Sequence, residues 1–263
     1  MRKGFDIVIG FLSLIGIILF VFPGLYLLFS TSPVSLVNAL KDQEFLKAVW
    51  VSFLSATLAT LLILLLGTPL AYVLSRKSTP LKGVVENLLE LPVAIPHSVA
   101  GIAILSFFGR TSFMGKFLNL LGLEVYGTLT GIVIAMAFVS APYFIGNLKE
   151  GLRQLPQEYE KISYSLGRGK FYTFFHVLLP MTKGHLLKGL LLSWGRAVSE
   201  FGAVMVVAYF PMSSTVFVYE RLESMGIKAT LPYAVFLFLI TGMVFLILRV
   251  FWGRYVENRG FEG

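Results

Sequence analysis

The chain has 263 residues, 56% hydrophobic and only 14% charged, where a soluble domain carries about 25% charge; its mean hydropathy is +0.81. Too little polar surface remains to coat a water-facing globule, so the composition predicts an integral membrane protein. The absence of cysteine excludes disulfides, thiolate metal sites and a cysteine nucleophile, and the net charge of +8 sits at the ends of apolar runs, the pattern that orients membrane proteins rather than one that binds nucleic acid.

A hydrocarbon core of about 30 Å needs about 20 apolar residues in helical form. Six such runs lie between charges. Residues 7–29 are uncharged and follow Arg2 and Lys3. This run exceeds the apolar stretch of a signal peptide, about 7–15 residues, and no small-x-small cleavage site follows, so it is read as a retained helix. Residues 48–75, 91–109 and 125–148 are the second to fourth runs. Gly67-Thr68-Pro69 and Ala141-Pro142 are expected to kink the second and fourth. Residues 189–210 are the fifth, interrupted by Arg196 and Glu200, and residues 229–248 are the sixth.

Lysines and arginines set the orientation. With the N-terminus inside, the inner face holds 15 of them, among them Arg2, Arg76, Lys149, Arg168 and Arg249. The outer face holds six, namely Lys41, Lys47, Arg110, Lys116, Arg221 and Lys228, and Arg196 lies within the fifth run. Both termini are therefore expected in the cytoplasm.

One long inner loop, residues 149–188, is the segment expected to meet a cytoplasmic partner. It divides at Gly167-Arg168-Gly169. Before the glycines, Tyr159, Ile162 and Leu166 fall on one helical face, with Pro156 near the start. After them Phe171, Phe174, Phe175 and Leu178 repeat at helical spacing, and Pro180 is expected to block continuation. The pattern alone also fits an amphipathic hairpin lying on the lipid surface.

Gly167, nine residues, then Val177-Leu178-Leu179-Pro180 resembles the cytoplasmic loop motif of ABC importer permeases. That motif begins Glu-Ala-Ala, where this chain has Lys161-Ile162-Ser163 with Glu160 adjacent. Leu91-Pro92-Val93-Ala94-Ile95-Pro96-His97-Ser98-Val99-Ala100-Gly101 is similar to permeases for molybdate, tungstate and sulfate. So is Ser193-Trp194-Gly195-Arg196-Ala197-Val198-Ser199-Glu200-Phe201-Gly202-Ala203. Ala208-Tyr209-Phe210-Pro211-Met212 and Tyr219-Glu220-Arg221 add likeness to the archaeal-type molybdate/tungstate permease. The resemblance implies a single transmembrane domain over residues 1–263 with the type I ABC importer permease fold, all-α with six transmembrane helices. Its permease core spans residues 45–249 and its ATPase-coupling loop residues 149–188. It implies a plasma-membrane homodimer on two cytoplasmic ABC ATPase subunits, fed by an external oxyanion-binding protein, with no cofactor. Gly167, Arg168, Lys170, Phe171, Phe174, Phe175 and Pro180 are then the coupling residues. Gly115-Lys116 and Gly169-Lys170 lack the other parts of a phosphate-binding loop, so ATP hydrolysis is expected in a separate subunit.

Arg196 and Glu200 are the sharpest residues. A charge at the bilayer centre costs about 2.5–3.5 kcal/mol on insertion scales, and a spacing of four lets the two face each other on one helix. They are either a structural ion pair or, with Ser199, His97 and Ser98, part of the substrate pathway or a gate. The small residues Gly195, Ala197, Ser199, Gly202 and Ala203 suit close helix packing. His97, His176 and His185 have no metal-ligand spacing, so no metal is expected. Other readings are a sulfate permease of the same superfamily, a gradient-driven secondary transporter, or a membrane enzyme. The last lacks paired acids or a nucleophile set at membrane depth.

Overall fold

The computed structural model describes residues 2–77 and 80–257, and every regular element among them is helical. Helices α1 (Arg2–Phe20) and α2 (Phe22–Leu28) meet at a 40° bend, and α3 (Pro33–Ala39) follows. Helix α4 (Gln43–Arg76) starts at Asp42, whose carboxylate accepts the N–H groups of Glu44 and Phe45 at 3.0 and 3.2 Å. Such an acidic N-cap satisfies donors that the first turn leaves open. Next come α5 (Lys82–Ala94), α6 (His97–Phe108) and α7 (Phe113–Leu120), then α8 (Leu129–Gln154). The chain continues through α9 (Glu158–Ser165), α10 (Lys170–Thr173), a π-helical turn over Phe174–Leu178, and α11 (Leu179–Met181). Helices α12 (Lys183–Val198), α13 (Gly202–Val207), α14 (Ser214–Met225) and α15 (Ile227–Glu257) complete it.

The core is the α4–α8–α12 layer. Lipid is as apolar as leucine, so burial alone does not join helices in a membrane; close packing does. Small residues permit it. A Cβ on Gly189 would stand 3.1 Å from the Phe144 carbonyl oxygen, and one on Gly67 would stand 3.1 Å from the Phe144 side chain. Ala56, Ala59, Ala135 and Ala197 are completely enclosed beside Phe144 and Met136. The outward faces of α4 and α15 keep large apolar side chains such as Trp50, Leu65 and Met243 exposed, as a lipid-facing surface requires. At one end, Phe45, Phe217, Tyr233 and Phe236 stack within 5.0–5.5 Å and dock α14 and α15 on the start of α4. The Tyr233 hydroxyl donates to Asp42 at 2.8 Å, and Arg221 donates to Glu44 at 2.9 Å.

Among the described residues, α4, α8 and the stretch Ile227–Val250 of α15 are each long and apolar enough to cross a membrane. The bent pairs α1–α2 and α6–α7 raise this to five if each is one span. The fifth run expected from the sequence, residues 189–210, is divided: α12 stops at Val198 and α13 starts at Gly202. The third run, residues 91–109, straddles two elements, because α5 ends at Ala94 and α6 begins after Pro96. Pro96 lacks the N–H a continuing helix needs and forces Ile95 out of the α region (ψ 149°). The fourth helix begins at Leu129 rather than at residue 125, where Thr128 caps it by accepting the Gly131 N–H at 3.2 Å.

Candidate functional site

Two regions collect the residues singled out by sequence. The first is the hairpin formed by α9, α10, the π-helical turn and α11. Helix α9 ends on Gly167, whose φ of 76° is a left-handed conformation open to glycine. The Arg168 N–H reaches the Ser163 carbonyl at 3.1 Å and the Gly167 N–H reaches that of Tyr164 at 3.0 Å, the double bond pattern that closes a helix on a C′ glycine. Across the turn, the buried hydroxyls of Ser163 and Thr173 bond at 2.7 Å and hold α9 against α10. Lys170 opens α10.

The aromatic residues of the hairpin divide by direction. Phe174 turns inward, edge-on to Tyr72 of α4 with ring centres 4.9 Å apart. Phe171 and Phe175 turn outward and lean on each other at 4.6 Å, Phe171 being 76% exposed. Tyr159, Ile162 and Leu166 are exposed as well, so the apolar face expected on α9 lies open. Arg168 covers the Tyr172 ring at 4.7 Å, and Tyr172 stacks on His176. Pro180 does not stop the helix: the path continues to Met181. The Leu179 N–H bonds to the Phe174 carbonyl five residues back, and this wider turn accommodates a residue that has no N–H and would crowd the carbonyl four behind it.

The hairpin is fastened to α4 by an ion pair that sequence reading left unassigned. Arg76, the last residue of α4, has its Nε 2.7 Å from Glu160 Oε1, with side chains 8% and 14% exposed. Arg76 Nη1 also donates to the Leu155 carbonyl at 3.0 Å. A signal was present: Tyr72 and Arg76 stand four apart on α4 and meet Phe174 and Glu160. Glu86 of α5 meets Arg153 at 2.5 Å and Lys149 at 3.6 Å, tying α5 to the end of α8.

The second region is the break between α12 and α13. Here Glu200 turns inward and is 1% exposed. Its Oε2 accepts Arg196 Nη2 at 2.7 Å, and its Oε1 accepts the Ala203 N–H at 2.8 Å. Thr215 of α14 donates to the Glu200 carbonyl at 2.8 Å. A buried carboxylate needs such partners, and leaving the helix at Ser199 lets one side chain cap α13 while pairing with α12. His97, the first residue of α6, completes the cluster: its Nε2 lies 2.9 Å from Arg196 Nη2 and its Nδ1 lies 3.6 Å from Glu200 Oε2. Two glycines admit it. A Cβ on Gly202 would stand 2.8 Å from His97 Cβ, and one on Gly101 would stand 2.7 Å from Val206 Cβ. Ser98 and Ser199 are exposed, and the Ser199 hydroxyl bonds to the Arg196 carbonyl at 3.1 Å. Gly202, Ala197 and Ala203 therefore serve close packing, as their size suggested.

An all-helical bundle carrying a fastened hairpin is the fold of membrane subunits of ABC importers. The chain belongs to the family of binding-protein-dependent transport system inner membrane components, which matches residues 63–260. It is 38% identical over 240 residues to the molybdate/tungstate transport system permease protein of Methanocaldococcus jannaschii, covering 90% of this chain and 93% of the relative. It is 36% identical to the protein of the same description in Thermococcus kodakarensis, over 83% of each chain. It is 32% identical to the sulfate transport system permease protein CysT of Synechocystis, over 79% of this chain and 75% of the relative. Among solved structures, a chain of a bacterial ABC transporter that imports the acidic polysaccharide alginate superposes with a TM-score of 0.76 at 13% identity. That match covers 98% of this chain and 97% of the other. The inward-facing MetNI methionine ABC transporter superposes at 0.63 with 15% identity, over 81% and 95%. The chain is thus a multi-pass plasma-membrane permease subunit of an ABC importer.

Proposed function

We propose that this subunit forms the passage of an ATP-driven importer of molybdate and tungstate, and that a separate ATPase works it through the hairpin. The observation that carries the coupling role is the outward pair Phe171 and Phe175, exposed on a hairpin whose opposite side is tied to α4 by Phe174–Tyr72 and Glu160–Arg76. Rings held out from a fixed base fit a groove on a partner protein, and a base fastened to a membrane-spanning helix transmits displacement of the hairpin into the bundle. Gly167, Arg168, Lys170 and Pro180 shape and flank that surface. The oxyanion assignment is supported by the identity to molybdate/tungstate permeases of two organisms.

The working unit is a homodimer on two ATPase subunits, served by an external oxyanion-binding protein. Both termini lie in the cytoplasm. The three long helices, the two bent pairs and the broken pair α12–α13 make the six crossings. Arg196, Ser199, Glu200, His97 and Ser98 border the passage or its gate.

Sulfate is the second substrate reading, supported by the 32% identity to a sulfate permease. Gradient-driven transport fits less well. It calls for a carboxylate able to exchange an ion, and Glu200, the buried acid among the described residues, is already held by Arg196 and the Ala203 N–H. The test uses the absence of cysteine. Phe171→Cys is a unique cross-linking site, expected to capture the ATPase in the reconstituted complex. Liposomes holding the complex and the binding protein should accumulate molybdate with ATP and be indifferent to a proton ionophore. No cross-link, together with ionophore-sensitive uptake, would sink the proposal.

A further inference from the structure

We infer that Arg196 is the residue that touches the oxyanion in transit, and that Glu200 is a positioning residue that never meets it. The inference rests on the importer reading above and assigns the substrate contact within it. Glu200 is enclosed, with one oxygen occupied by Arg196 and the other by the Ala203 N–H. A carboxylate so placed has no face to offer, and its charge would repel a dianion.

Arg196 is built differently. Its Nη2 serves Glu200 Oε2 and His97 Nε2. Both ring nitrogens of His97 lie near Arg196 Nη2, Nε2 at 2.9 Å and Nδ1 at 3.3 Å, and a guanidinium has only donors, so the imidazole meets it as the acceptor. That leaves Arg196 Nε and Nη1 with three N–H donors, and the Arg196 bonds within the cluster all run through Nη2. Its side chain is 19% exposed and its partner His97 is 41% exposed, so the chain leaves the cluster uncovered on the side of these two residues and not on that of Glu200.

The charge arrangement suits passage rather than capture. Arg196 and Glu200 sum to zero, so an arriving dianion meets oriented N–H donors without a net positive well. A transit site must be favourable enough to enter and weak enough to leave. The pair also cannot wander: Glu200 is anchored by Ala203 and by the Thr215 bond to its own carbonyl, and Gly202 and Gly101 bring α6 with His97 against it.

The test is molybdate uptake by the complex of permease and ATPase in liposomes, at saturating liganded binding protein, scored as molybdate moved per ATP hydrolysed. Arg196→Gln alone would strand a buried carboxylate, so the informative variant is Arg196→Gln with Glu200→Gln. This double variant is expected to assemble with the ATPase by gel filtration and to move molybdate at least tenfold less efficiently. Arg196→Lys keeps a cationic donor beside Glu200 and is expected to stay within about threefold of wild type. Glu200→Gln alone keeps an amide oxygen for Arg196 and is expected to fall between the two. A double variant that moves molybdate as well as wild type would overturn the inference, as would Arg196→Lys doing no better than the double. Absence of ATP-driven uptake by the wild-type complex is the separate failure of the importer reading, and removes both.

Discussion

The hairpin and the helix break handle their awkward groups in opposite ways. The hairpin leaves Phe171, Phe175 and Leu166 in the open, while the break buries a carboxylate beside a guanidinium. Exposed rings gain nothing by standing in water, so under the proposed coupling role a partner protein covers them. A buried charge costs several kcal/mol per ion unless it is paired and hydrogen-bonded, so Glu200 is explained by its neighbours inside the chain. The hairpin offers its rings outward, whereas Glu200 finds its partners inside the chain. Substitution at the hairpin should therefore be read mainly in partner affinity, and substitution at the break in stability together with transport.

The largest expected effect tests the pairing at the break. Arg196→Gln leaves Glu200 uncompensated and should lower stability by about 3–5 kcal/mol, whereas adding Glu200→Gln should recover most of that loss. Thermal unfolding of the three purified proteins in one detergent checks this; equal melting of single and double variants would show that the pair is not closed upon itself. Next, Gly101→Val drives a side chain into Val206 and the Ala203 carbonyl of α13. It should cost about 1–3 kcal/mol by overpacking and move His97 off Arg196, seen as a loss of uptake together with stability.

The hairpin should show the reverse pattern. Phe171→Ala is expected to weaken ATPase binding by about 2 kcal/mol, roughly thirtyfold, while unfolding shifts by less than about 0.5 kcal/mol. Phe174→Ala should behave like a residue of the bundle, losing stability because its ring packs on Tyr72. If Phe171 and Phe174 exchanged these behaviours, the two faces of the hairpin would be wrongly assigned.

The smallest effect lies outside both regions. Asp42→Ala removes the α4 cap and should cost about 1 kcal/mol. The Asp42 carboxyl is held below the ordinary carboxylate value: partial burial acts to raise it, but the hydrogen bonds from Tyr233, Phe45 and Glu44 outweigh this, aided by the charge of Arg221. A depressed folded value means its contribution is present above the unfolded pKa of about 4 and is lost as pH falls through the folded one. The wild-type advantage over Asp42→Ala should thus persist at pH 7 and shrink below about pH 4, measured by unfolding at each pH.

Much of this was legible without coordinates, and the legible parts share a cause. Transfer of apolar side chains out of water and helical periodicity are local properties, so composition and spacing were enough for a membrane-embedded helical chain, a hairpin turning at Gly167, and a four-residue spacing that joins Arg196 to Glu200. What only the tertiary structure decided involves groups far apart in the chain. His97 reaches Arg196 because Gly202 leaves it room. Glu160 reaches Arg76 rather than the surface, Phe174 turns in while Phe171 turns out, and residues 189–210 break at Ser199 because one carboxylate satisfies both α12 and α13. Periodicity says which face of a helix is apolar. It does not say which other helix comes close enough to touch it, and that depends on where small residues on two distant segments allow their backbones to meet.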